Sequence, residues 1–155
     1  MKFSPLFWPI KLKGRTLYIL DETKLPHKLV YIKAKTYLAA VKAIREMKTR
    51  AFGQVLLVFY TFLLVLKQNK GRKNITATLG KAAACLNASR PTLPFKFLTD
   101  MILGWAREGK LEKKIHDFLL LLKAKRIQRA EEVSKIIKDK DVVLTHCNVS
   151  GELPL

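Results

Sequence analysis

Thr145-His146-Cys147-Asn148 sets an imidazole, a thiol and an amide side by side. A thiol in this setting can act as nucleophile or general acid when a positive environment lowers its pKa. Val142, Val143, Leu144 and Thr145 favour β-structure. They predict a buried strand with Cys147 at its carboxyl end, where open α/β sheets hold their ligands. Neighbours along a strand point to opposite faces, so His146 and Cys147 are not expected to pair directly. A Cys at a strand end can equally be structural, and the local sequence leaves both readings open.

Arg90 is a second candidate. Ser89-Arg90-Pro91-Thr92 reads as a helix entry, with polar residues followed by a Pro that pre-sets the first turn. An Arg beside the free N–H groups of a helix start adds a bidentate phosphate donor. An ordinary surface Arg is the alternative. Cys85 lies in an Ala-rich run and reads as a small buried hydrophobe. No paired carboxylates, glycine-rich phosphate loop or metal-ligand spacing accompany these residues, and two Cys make neither a disulfide framework nor a zinc site.

The elements that must position these groups are mostly helical. Lys13–Leu20 and Leu29–Lys33 predict two short strands joined by the polar turn Asp21–His27. Thr36 is expected to cap a helix reaching Arg50, with Tyr37, Leu38, Val41, Ile44 and Met47 on its buried face. Val55 to Leu66 is apolar almost without a break. It falls short of the ~18–20 residues of a membrane span, and reads as the central helix of a bundle. A loop at Asn69–Asn74 leads to a helix over Ile75–Asn87, then one from Pro94 to Arg107 that ends at Gly109. Leu111 to about Lys138 predicts a long helix. Its apolar stripe is Ile115, Phe118, Leu119, Leu122, Ile127, Ala130, Val133 and Ile137. Lys113, Lys114, Lys123, Lys125, Arg126 and Arg129 are assigned to a solvated basic face.

The 155 residues fit one domain or one and a fraction, and a hydrophobic content of 49% is ample for a packed core. The net charge of +18, from 30 basic against 12 acidic residues, points to an anionic partner: a small anionic substrate, nucleic acid or an anionic membrane surface. The basic residues are spread along the chain and form no tail, which weakens the nucleic-acid reading. Met1 to Leu12 is interrupted by Pro5, Pro9 and Lys11 and holds no signal-peptide core, so a cytoplasmic protein without membrane association is expected.

Separated segments, in order, resemble one family. Leu20-Asp21-Glu22-Thr23-Lys24-Leu25-Pro26 resembles LDQTKLP, and Ala43-Ile44-Arg45-Glu46-Met47 with Arg50 resembles AIRxMxxRGAPAIG. Ser89-Arg90-Pro91-Thr92 resembles SRPTAVN, and Leu144-Thr145-His146-Cys147-Asn148 resembles LTHCNAG. The chain is thus similar to the N-terminal half of S-methyl-5-thioribose-1-phosphate isomerases. Their superfamily includes ribose-1,5-bisphosphate isomerases and the alpha, beta and delta regulatory subunits of translation initiation factor 2B.

The resemblance implies a helical N-terminal domain followed by a Rossmann-like domain, with the active site between them. The expected fold is mainly α: a small N-terminal β-element over residues 1–35, a helical bundle over 36–138, and the first strand of a truncated Rossmann-like α/β domain over 139–155. By resemblance, Arg50 and Arg90 grip the phosphate of a sugar-phosphate substrate, and Cys147 is one catalytic residue. An Asp from the C-terminal half is the other. The implied reaction converts an aldose phosphate to a ketose phosphate without metal or other cofactor, in a homodimer when the protein is complete. This chain alone is not expected to be an efficient catalyst, because Cys147 lacks its partner acid. The chain departs from the family where RGAPAIG becomes Arg50-Ala51-Phe52-Gly53-Gln54-Val55-Leu56 and where SRPTAVN loses its Asn. A non-catalytic, factor 2B-like regulatory or binding module is therefore the alternative. A basic RNA-associated protein is the third reading, on composition alone.

Overall fold

The computed structural model describes residues 3–71 and 75–144. Three strands, β1 (Ile10–Lys13), β2 (Thr16–Leu20) and β3 (Tyr31–Ala34), form an antiparallel sheet in the order β1-β2-β3. Where one strand was expected from Lys13 to Leu20, the chain makes a hairpin. Gly14, at φ 56, takes the left-handed conformation that the tight turn requires. Ile10, Leu17 and Ile19 point into the core, while Lys11, Lys13 and Tyr18 face outward.

Five helices follow: α1 (Tyr37–Arg45), α2 (Ala51–Gln68), α3 (Ile75–Ser89), α4 (Phe95–Arg107) and α5 (Leu111–Ile136). Thr36 caps α1 as expected, its hydroxyl oxygen accepting from Ala39 N at 3.1 Å. The helix stops at Arg45, short of the expected Arg50, because Met47 turns left-handed at φ 54. Ala40, Val41, Ala43 and Ile44 form its buried face, and Leu38 and Met47, assigned to that face by spacing, are exposed.

α2 is the post around which the rest is built. It packs against every other helix and against β1 and β2. Burial from all sides explains why its apolar run shows no polar face: Leu56, Leu57, Val58, Phe59, Phe62, Leu63, Leu64 and Val65 are all enclosed. By length and composition this 18-residue helix would also pass as a membrane span, yet 61% of it is buried inside the bundle. Its fully buried hydroxyl, on Thr61, donates to Leu57 O at 2.6 Å, and the half-buried Tyr60 hydroxyl accepts from Trp8 Nε1, so neither hydroxyl is stranded.

α5 lays Ile115, Leu119 and Ala130 on the core. Two sequence assignments are corrected on this helix. Arg126, assigned to the solvated basic face, is 2% exposed. Its guanidinium lies 3.7 Å from the Phe52 ring centroid and 5.1 Å from that of Phe7, a stacked environment that offsets desolvation of the charge. Val133, assigned to the apolar stripe, is exposed. Beyond the helix, Val142–Leu144 make no strand pairing, and Val142 is fully exposed. A β-strand satisfies its backbone through neighbours, and no strand adjoins these residues among the described ones.

Candidate functional site

The site is built around the first turn of α2. Arg50 is the N-cap of that helix, no side chain caps its first-turn N–H groups, and no acid lies in the turn. Such an end carries free donors and the positive pole of the helix dipole.

The turn before it is pinned from the sheet side. Asp21 caps a short 3-10 turn over Glu22–Lys24, accepting from Thr23 N at 3.1 Å, and the segment continues through a cis Leu25–Pro26 bond. This arrangement buries Glu22. Its Oε1 accepts from Thr49 Oγ1 at 2.6 Å and from Arg50 N at 2.9 Å. Glu22 N in turn donates to Lys48 O at 2.8 Å, and Lys48 Nζ sits 3.8 Å from Asp21 Oδ2. The Asp-Glu-Thr-Lys segment thus clamps Lys48-Thr49-Arg50 from three directions.

Gln54 extends the clamp to the far side. It is fully buried one turn into α2. Its Nε2 donates to Thr49 O at 2.8 Å, while its Oε1 accepts from Arg90 Nη1 at 2.7 Å. Ser89, at the end of α3, is buried with its hydroxyl donating to Leu86 O at 2.6 Å, which fixes where Arg90 leaves the helix. Gly53 is required by close approach. A Cβ built there would lie 1.9 Å from Thr49 Oγ1 and 3.2 Å from Pro9 Cγ.

Arg50 and Arg90 therefore flank one helix turn, Arg50 as its cap and Arg90 bonded to the residue four positions on. Beside them opens a hollow of 290 Å³ lined by Ala51, Phe52, Val55, Leu93, Pro94 and Phe97, among others, with Phe97 71% exposed. The helix start thus has Arg50 as its cap and Arg90 held to Gln54, and the apolar wall of the hollow includes neither arginine. Helix-start donors and guanidinium groups suit an anion. Cys147, His146 and Asn148 lie outside the described residues. Among the described residues no group of three or more His, Cys, Asp or Glu could hold a metal.

Sequence reasoning missed Glu22, Thr49, Gly53 and Gln54 as positioning residues. Gly53 and Gln54 carried a signal: a Gly and an uncharged polar residue opening an otherwise apolar helix mark close approach and a buried hydrogen bond.

No protein-family model matches the chain. Curated relatives do. The chain is 31% identical to the methylthioribose-1-phosphate isomerase of Aquifex aeolicus over 97% of its own length and 32% of that protein. It is 34% identical to a putative methylthioribose-1-phosphate isomerase of Methanocaldococcus jannaschii over 95% of its length and 43% of that protein. A third such isomerase, from Desulforudis audaxviator, is 29% identical, with 97% of this chain matching 46% of that one. The chain thus spans less than half the length of these relatives.

Two solved structures share the fold. The translation initiation factor eIF-2B subunit delta from A. fulgidus aligns with a TM-score of 0.67 and 22% identity over 86% of this chain and 43% of that one. The 5-methylthioribose 1-phosphate isomerase of Pyrococcus horikoshii aligns with a TM-score of 0.61 and 17% identity over 74% of this chain and 36% of that one. By sequence the chain is similar to the N-terminal part of methylthioribose-1-phosphate isomerases, and it shares its fold with one such isomerase and with an initiation factor 2B subunit.

Proposed function

We propose that this chain is the substrate-gripping N-terminal part of a methylthioribose-1-phosphate isomerase, and that Arg50 and Arg90 bind the phosphate. The observation that carries the reading is the convergence of three family-like segments on one helix turn: Asp21–Pro26, the residues up to Arg50, and Ser89–Thr92. Arg90 also satisfies the buried Gln54 amide oxygen, whereas among the described residues no such structural bond accounts for the Arg50 side chain. The apolar hollow beside them favours a substrate with one phosphate and an apolar methylthio end over a bisphosphate, whose second charge would lose its hydration there.

In this reading residues 139–155 begin the second domain, and Cys147 meets its partner acid only when that domain is complete. The pair would move a proton between the first two carbons of the opened sugar, by general acid–base catalysis. The test follows conversion of methylthioribose 1-phosphate to its ketose isomer by the full-length protein. Turnover is expected, and Cys147→Ala should lower it by about a hundredfold or more. Absence of turnover, or an unimpaired variant, defeats the isomerase reading.

One observation favours a second reading. Gln54 stands in the segment where the family has small residues, and it already occupies one Arg90 donor at 2.7 Å. A factor 2B-like, non-catalytic module would bind its anion and leave it unchanged. Binding without conversion distinguishes the two.

A further inference from the structure

The outer face of the small sheet is basic and aromatic at once. Strand register sets Lys11 opposite Tyr18, and Tyr18 opposite Lys33. Lys13 Nζ and Lys33 Nζ lie 5.9 and 6.0 Å from the Tyr18 ring centroid, and Lys11 Nζ lies 5.1 Å from that of Tyr31. From Phe3 to Arg45 the only acids are Asp21 and Glu22, and both are buried in the clamp described above. The face therefore carries no exposed acid of its own.

The pattern continues past both ends of β1. At the Tyr31 end a groove of 630 Å³ is lined by Phe3, Phe7, Trp8, Lys11, Tyr31 and Lys123, among others, with no acid in its wall. At the hairpin end a cleft of 590 Å³ is bordered by Arg15, Lys67 and Lys70, with Glu112 the one acid among its described lining residues. Lys11 borders the groove and Gly14 and Arg15 border the cleft, leaving Lys13 and Tyr18 between them.

We propose that this face and its groove form a binding track for single-stranded nucleic acid, with Tyr18 and Tyr31 as stacking platforms and Lys11, Lys13 and Lys33 as phosphate contacts. Interleaved rings and cations on an exposed antiparallel sheet match what splayed bases on a polyanionic backbone need. The lysine–ring contacts are weak at exposed sites, so an ammonium can leave its ring for a phosphate while a base takes its place. Tyr18 and Tyr31 are half-buried in the face. They offer a platform and no protruding wedge, which suits bases better than insertion into lipid.

The test is fluorescence polarisation of a short labelled oligouridylate, with oligothymidylate, duplex RNA of equal length and phosphatidylserine vesicles as parallel arms. Both single strands, or either one, should bind at low salt, more tightly than duplex, with affinity falling steeply as salt rises. Tyr18→Ala/Tyr31→Ala should weaken binding about tenfold or more, while Tyr18→Phe/Tyr31→Phe binds as the parent does. Lys11→Gln/Lys13→Gln/Lys33→Gln should flatten the log–log salt slope by about two. As a control, Lys96→Gln/Lys113→Gln/Lys135→Gln removes three lysines held in surface ion pairs and should leave that slope unchanged. If the tyrosine-to-alanine variant fails to fold by circular dichroism, the lysine variant decides alone. No single-strand binding at low salt, a salt slope the Lys11/Lys13/Lys33 variant does not change, unchanged affinity in a folded tyrosine-to-alanine variant, or binding to vesicles alone would each overturn the proposal.

Discussion

Arg90 donates through Nη1 to Gln54 Oε1 at 2.7 Å, and this one bond ties the loop after α3 to the first turn of α2. Gln54 is wholly enclosed, so its amide has no water to fall back on. Replacing it by Leu removes the acceptor for Arg90 and the donor to Thr49 O together. Gln54→Leu is expected to lower stability by about 1–3 kcal/mol in urea unfolding. In that background Arg90→Ala should add less than it costs in the parent, since the two residues share one interaction.

Glu22 accepts from both Thr49 Oγ1 and Arg50 N. Glu22→Ala leaves two donors without an acceptor in a buried site, at an expected cost of about 2–4 kcal/mol. Glu22→Gln retains a carbonyl oxygen at the same position and should lose less. Equal stability of the alanine variant and the parent by urea titration would contradict the clamp.

Gly53 tests close packing. An exposed helical Gly gains about 1 kcal/mol on replacement by Ala. Here the new methyl meets Thr49 Oγ1 at 1.9 Å and forces that hydroxyl off Glu22. Gly53→Ala should therefore destabilise by about 1–3 kcal/mol, and the penalty should shrink when Thr49 is already Ala.

Tyr60 gives a pH signature. Burial pushes its phenol above the ordinary value of 10.0, and the Trp8 indole N–H donating to its oxygen at 3.0 Å pulls the other way without cancelling the rise. The unfolded chain then releases this proton at lower pH than the native chain does. Its effect on stability is absent below pH 10 and negative above it, growing until the native phenol also ionises. Unfolding midpoints measured through the alkaline range should fall with pH, and Tyr60→Phe should make that fall shallower.

Much of the helical body was legible in the sequence because local patterns decide it. Thr36 capped its helix, the Val55–Leu66 run became the central post, and the helix bounds after it moved by only a few residues. What local pattern could not supply was long-range. Four residues from Ile10, with Pro9 before them, are too short an alternation to announce β1. Arg126 has the spacing of a surface cation, and only Phe7 and Phe52 from distant segments make it a buried one. The early end of α1 depends on the left-handed turn at Met47, which the Glu22–Thr49 and Glu22–Arg50 bonds help hold. The resemblance singled out Arg50 and Arg90, but the bond that ties Arg90 to Gln54 on α2 was not legible in the sequence. Strand character at Val142–Leu144 was written in residue types alone, and among the described residues these three pair with no strand.

In the proposed function Arg50 and Arg90 together grip a phosphate ester at the start of α2. Isothermal calorimetry of methylthioribose 1-phosphate with the full-length protein tests it most directly, with Arg50→Ala and Arg90→Ala as variants shown to be folded. Binding is expected that inorganic phosphate competes away and that either substitution weakens about ten- to a hundredfold. Affinity unchanged in both folded variants would contradict it.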